Sequence, residues 1–162
     1  VHAVSTSCKI KAEYVRADEH ERGIRAHLNY GHTFAHALER DTDYSRYLHG
    51  EAVGIGMRMA AHLSDRLGLL WDPALVRRQD DLLNRYRLPM THTSADFQRD
   101  AQRLATHCAF DKKAARGKAR FIVPIRMGTV EIREVENVDA VVAAFGAGMS
   151  PAVRQSGSPE DL

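Results

Sequence analysis

The chain has 162 residues, 44% of them apolar and 27% charged, enough for one ordinary domain with a buried core. Its formal net charge of +2 comes from basic residues dispersed among acids, so composition gives no footprint for nucleic acid. Cys8 and Cys108 form no C-x-x-C motif, which argues against a disulfide framework or a thiolate metal site and fits a reduced, cytoplasmic setting. The longest apolar run, residues 52–63, is broken by Arg58 and His62, so neither a membrane span nor a secretory leader is expected. Val1 stands in sequence that already reads as helix interior, and a piece of something longer is the expectation.

Residues 6–22 set Cys8, Ile10, Ala12, Tyr14 and Val15 among charges, an imperfect helical period ending near Gly23. Asn29 reads as the N-cap of a helix running through residue 40, with Phe34, Ala37 and Leu38 on its apolar side. After a loop at Asp41, Thr42 and Asp43, residues 48–67 predict a long helix with Val53, Ile55, Met57, Met59, Ala60 and Leu63 spread widely around it. Gly50, Gly54 and Gly56 each weaken that helix by about 1 kcal/mol relative to alanine. They therefore predict close approach by another backbone or by a ligand.

Asp72 and Pro73 open a further helix to residue 86, and Leu88-Pro89 closes it. Another helix is predicted over 94–106, and a short one leads into Asp111. The period then changes. Residues 119–125 and 129–135 read as two strands around Met127 and Gly128, a hairpin. A last short helix covers 139–145, and the tail 150–162, rich in Ser, Gly, Pro and charge, is expected to be disordered. No repeat is visible, and the fold class is mainly α with one small β-hairpin.

His32 and His36, four apart, share one helical face, and His49 comes from a separate segment beside Gly50 and Glu51. Imidazole nitrogens in this arrangement suit zinc or a similar divalent cation. A catalytic site needs a third protein ligand, for which Glu39, Glu51 or a residue outside this chain are the candidates. Lys11, Arg25 and Asn29 read as solvated side chains by themselves; beside a metal they become candidates to hold carboxylate or phosphate. Asp111, Lys112 and Lys113, with Arg116, Gly117 and Lys118, form either a solvated turn or an anion clasp, and spacing does not choose. Asp18, Glu19, His20 and Glu21 make an acidic helix end, solvated by default. Glu21 lies one turn before Arg25 and can pair with it or relay protons. His2, His20, His27, His62, His92 and His107 are isolated and read as structural, and Trp71 and the tyrosines show no stacking arrangement for nucleic acid.

At these residues the chain resembles the 3-dehydroquinate synthase family. The matching string is Lys11, Ala12, Asp18, Glu19, Glu21, Gly23, Arg25, the run from Leu28 to Phe34, and His36 to Glu39. It continues through the run from Leu48 to Val53, then Gly56, Met57, Asp111, Lys112, Lys113 and Gly117. Ala35 departs from the glycine that is more frequent there.

The resemblance implies a two-domain enzyme, of which residues 1–149 are the helical metal- and substrate-binding C-terminal domain and the N-terminal α/β NAD-binding domain is absent. It implies a divalent metal, zinc or cobalt, held by His32, His49 and a glutamate upstream of this chain, so neither Glu39 nor Glu51 is assigned. Lys11, Arg25, Asn29, His36, Lys112 and Lys113 map onto substrate-binding positions, and His36 with Glu21 onto a proton relay. No NAD-binding residue maps onto this chain. The implied reaction converts 3-deoxy-D-arabino-heptulosonate 7-phosphate to 3-dehydroquinate and phosphate, with NAD regenerated in the cycle. A homodimer is implied for the full-length enzyme, and the chain alone is expected neither to bind NAD tightly nor to turn over. Two alternatives stand beside this: another sugar-phosphate cyclase, and a non-catalytic helical fragment serving assembly.

Overall fold

The computed structural model describes residues 1–109 and 119–151. Lys112, Lys113 and the tail from residue 152 lie outside the described residues. In chain order there follow α1 (His2–Ala17), a 3-10 turn (Ile24–Asn29), α2 (His32–Asp41), α3 (His49–Arg66), α4 (Ala74–Arg85) and β1 (His92–Ser94). Then come α5 (Phe97–Ala109), β2 (Ala119–Arg126), β3 (Thr129–Val135), α6 (Val138–Ala147) and β4 (Met149–Pro151). The expectation of a mainly helical fold with one hairpin is met.

The core sits where α2, α3, α5, α6 and β2 meet. Phe34 on α2 places its ring 5.1 Å from Phe121 of β2 and 4.9 Å from Phe145 of α6. Leu38, Ile55, Met59, Leu63, Leu104 and Val123 close around them, fully buried. Burying an aromatic or branched side chain of this size contributes about 1.5–3 kcal/mol each. By contrast α1 buries none of its residues and rests on the 3-10 turn.

α2 and α3 run antiparallel: the start of α2 meets the middle of α3, and its C-terminal part meets the start of α3. A single close contact fixes their spacing. Gly31, the residue before α2, has φ +84°, a conformation that suits glycine. A methyl added to Gly56 would overlap the Gly31 carbonyl oxygen, so the two backbones touch with no room for a side chain. This is the close approach the glycines predict, but it belongs to Gly56; Gly54 meets only Leu83 and Leu88 at 3.8 Å and Gly50 faces open space.

Several boundaries differ from the sequence reading, each for a local reason. The first helix stops at Ala17 rather than near Gly23, because the Asp18 carboxylate gathers the backbone N–H groups of Arg22, Gly23 and Arg25. Asn29 is not the cap of α2: it closes the 3-10 turn, and Gly31 occupies the cap position. The predicted helix over 94–106 starts later, at Phe97. Ser94 ends a short strand, and its Oγ accepts from the Asp96 N–H (3.1 Å) while donating to Asp100 (2.6 Å).

The hairpin forms as predicted, β2 and β3 pairing antiparallel with Gly128 at φ +76° in the turn. Ser64 Oγ donates to the Pro124 carbonyl and Trp71 N–H to that of Ile125. A second, parallel pair joins β1 to β4, matching His92 with Met149 and Ser94 with Pro151. Ser150 and Pro151, placed in the tail by the sequence reading, are thus paired strand residues.

Candidate functional site

α2 opens at His32, one residue beyond the Gly31 cap, and its next turns carry His36 and Glu39. α3 opens at His49, where the Glu51 carboxylate accepts the Leu48 N–H at 2.8 Å and holds the helix start. The antiparallel packing brings these two segments together. The His32 ring lies 5.7 Å from that of His36 and 5.2 Å from that of His49, and the rings of His36 and His49 stack at 6.1 Å. Glu39 is buried, and its Oε1 accepts from His49 Nδ1 at 2.9 Å.

Donor atoms of His36, Glu39 and His49 all lie within 4.8 Å of one another. His32, which the resemblance pairs with His49 on the ion, is not in that closely spaced set; its ring lies 5.2 Å from that of His49. Since ligands around a tetrahedral zinc stand roughly 3.3 Å apart, ring rotations would have to bring these two nitrogens together. Burial lowers the His32 pKa below its ordinary value of 6.5, reinforced by the neighbouring imidazoles against an opposing contact to the Tyr30 carbonyl. A neutral imidazole with a free lone pair is the form a metal needs. Of the two carboxylates the sequence offers as third ligand, Glu51 is engaged at the α3 cap and Glu39 with His49.

Beside this cluster a cleft of about 460 Å³ is lined by Lys11, Glu21, Arg25, Asn29 and His32, among others. Five of the residues singled out from sequence therefore line one cleft. Asn29 Nδ2 donates to Glu21 Oε1 at 2.5 Å, and Arg25 Nε lies 3.9 Å from Glu21 Oε2. Glu21 itself sits at φ +54°, a left-handed conformation uncommon for a residue with a side chain. Such strain is held by surrounding contacts, here the turn knotted by Asp18. The Asp18 carboxylate is kept below its ordinary pKa by the N–H groups of Arg22 and Arg25, with Gly23 contributing less. The Arg25 guanidinium is aimed by its bond to the Glu19 carbonyl at 2.6 Å.

The sequence reading treated Asp18 as one charge in a solvated helix end. Its real signal was positional: an aspartate just ahead of a glycine turn is a local hydrogen-bond acceptor before it is a charge. An adjoining cleft of about 470 Å³ shares Glu21 and Asn29 and adds Arg120, Ile122 and Ile132 from the hairpin. No local pattern marks these three, because only the folded hairpin brings them to the site. His62, on α3, is half-buried and His92, on β1, is buried.

The family profile described as "3-dehydroquinate synthase C-terminal" matches residues 1–114. Among curated relatives, the 3-dehydroquinate synthase of Helicobacter hepaticus is 47% identical over 135 residues, covering 81% of this chain and 36% of the relative. That of Gloeobacter violaceus is 48% identical over 124 residues, covering 76% of this chain and 33% of the relative. The chain thus spans about a third of the length of the curated relatives it matches. On this match, carried through the residues that build the cleft and the histidine cluster, the chain belongs to the 3-dehydroquinate synthase C-terminal family.

Proposed function

We propose that this chain is the metal- and substrate-binding part of a 3-dehydroquinate synthase, which converts 3-deoxy-D-arabino-heptulosonate 7-phosphate to 3-dehydroquinate and phosphate. The observation that carries the reading is the shared cleft: cationic Lys11 and Arg25, amide Asn29 and carboxylate Glu21 line it together with His32. A doubly anionic, polyhydroxylated substrate asks for this mixture. Arg25 presents a fork to carboxylate or phosphate, and Lys11 adds a mobile point charge. Asn29, held by Glu21, keeps its amide carbonyl oxygen for a substrate hydroxyl.

His32 and His49 are the proposed ligands of a divalent metal, neutral imidazole nitrogen being a donor such ions favour. When bound, a divalent cation supplies Lewis acidity at the substrate's oxygens. His36 borders both His32 and His49, and its proposed role is to exchange a proton with substrate or leaving phosphate. Glu21, which lines the same cleft, is the second proposed proton carrier. The Lys112 and Lys113 clasp is part of the same proposal, outside the described residues.

No glycine-bearing turn links a strand to a helix among the described residues, so they offer no pyrophosphate cradle of the usual dinucleotide kind. NAD is therefore assigned to the part of the relatives that this chain does not span, and the chain alone is proposed to be inactive. The full-length protein is proposed to work as a cytoplasmic homodimer. No helix among the described residues is long and apolar enough to cross a membrane.

The test is phosphate release by the full-length protein, supplied with NAD and zinc or cobalt, from the heptulosonate phosphate. Turnover with that substrate, and none by residues 1–162 alone, is the expected result. Release only from a different sugar phosphate would replace the reading with another cyclase of the same architecture.

A further inference from the structure

Glu39 is a buried carboxylate with 7% of its side chain exposed, whereas the ring of its partner His49 is 58% exposed. The mostly exposed imidazole is thus tethered from its buried side. We infer that Glu39 is the positioning residue of the metal site, fixing the tautomer and the aim of His49 without itself touching the ion. The inference rests on the metal-site reading above.

The chemistry follows from the contact. A carboxylate only accepts hydrogen bonds, so with the Glu39 carboxylate as acceptor the 2.9 Å contact puts the proton on His49 Nδ1. In a neutral imidazole the lone pair is then on Nε2. His49 would therefore offer Nε2 to an ion. The 2.9 Å separation is hydrogen-bond length, which engages the carboxylate with the imidazole and so favours a place behind the histidine.

Placement supports the same division of work. Glu39 lies one turn after His36 on α2, beside buried Leu38, and so is anchored in the core. His49 is the first residue of α3, where the backbone before it is extended and the ring projects toward solvent. Without a tether an exposed imidazole samples several rotamers, and each metal-binding event must freeze them. Partners behind a ligating histidine characteristically raise metal affinity 10–100-fold.

The experiment is a cobalt(II) titration of the full-length protein followed by visible absorption, with zinc affinity measured by competition against a chromophoric chelator. Wild type, Glu39→Gln, Glu39→Ala and His49→Ala are compared. Gln keeps a carbonyl acceptor for Nδ1–H, so its affinity should fall by less than about fivefold, with the cobalt band unchanged. Ala should lose about 10–100-fold, and His49→Ala more still.

Two results overturn the inference: Glu39→Ala binding like wild type, or Glu39→Gln losing as much as His49→Ala with an altered band, which would make Glu39 a ligand. Should the Ala variant fail to fold, two-bond proton–nitrogen correlation on metal-free wild type decides. Protonated Nδ1 and bare Nε2 at His49 support the inference, and the opposite tautomer refutes it. If wild type binds no cobalt at all, the metal-site reading falls along with it.

Discussion

At the scale of single residues, the site is held by side chains whose roles are visible only through their partners. Asp18 carries no catalytic geometry, yet it ties three backbone N–H groups and thereby presents Glu21 and Arg25 to the cleft. His92 shows the same dependence far from the site. It is buried at the start of β1, with Nδ1 3.0 Å from the Tyr47 hydroxyl. Burial lowers its pKa below the ordinary 6.5, assisted by Arg46 and opposed by Asp100. The consequence for stability has a definite sign. Above pH 6.5 the imidazole is neutral in both folded and unfolded chains; as pH falls through that value the unfolded chain takes up the proton first. Stability present at neutral pH is therefore lost on acidification toward the lower folded pKa. His62 is shifted the same way by burial. Thermal unfolding measured between pH 7 and 5 should show the midpoint falling with pH, with a shallower fall in His92→Gln. A slope unaffected by the substitution would remove His92 from this account.

At the scale of elements, the crossing of α2 and α3 decides where the histidines stand. Gly56→Ala would drive a methyl into the Gly31 carbonyl and within 2.9 Å of the Ala35 nitrogen, both backbone groups that cannot rotate aside. A cost of about 3 kcal/mol is expected, at the upper end for overpacking, which lowers the melting temperature by roughly 6–12 °C. Differential scanning calorimetry checks it; Gly50→Ala, which meets nothing, should raise stability by a few tenths of a kcal/mol through helix propensity.

Elements were legible where periodicity was strong. The helix predicted over 48–67 is found at His49–Arg66, since its broad apolar face announces it. Termini were misread where a side chain competes for backbone N–H groups, as Asp18 does after α1, or where a glycine conformation outranks an asparagine cap, as at Gly31. The β1–β4 pair was invisible in sequence. Three-residue strands separated by more than fifty positions have no period to display, and their pairing is set only when α5 and α6 pack.

At the scale of the whole molecule, the chain divides by burial. The Phe34, Phe121 and Phe145 cluster binds α2, α3, α6 and the hairpin, whereas α1 contributes nothing to the core. Hydrogen exchange on this chain should release α1 amides first and those of α3 last, since local opening is easiest where least surface is buried. Protection of α1 equal to that of α3 would contradict the division. The candidate site was half legible for the same reason. Residues from α1 through α3 sit close in sequence, yet it was the family resemblance, not spacing, that gathered Lys11, Glu21, Arg25, Asn29 and the histidines into one site. Glu39 as tether, and Arg120, Ile122 and Ile132 as wall, depend on packing between distant segments.

The parallel β1–β4 pair has a mechanical consequence. Tension drawn through the chain from opposite directions pulls β1 by its leading end and β4 by its trailing end. Parallel strands loaded so slide along each other, and every bond of the short ladder shares the force at once. α1, resting on a turn with no buried face, peels away under far smaller load. The fold therefore yields from one side, and the ladder braces the segment that carries α5 and the hairpin.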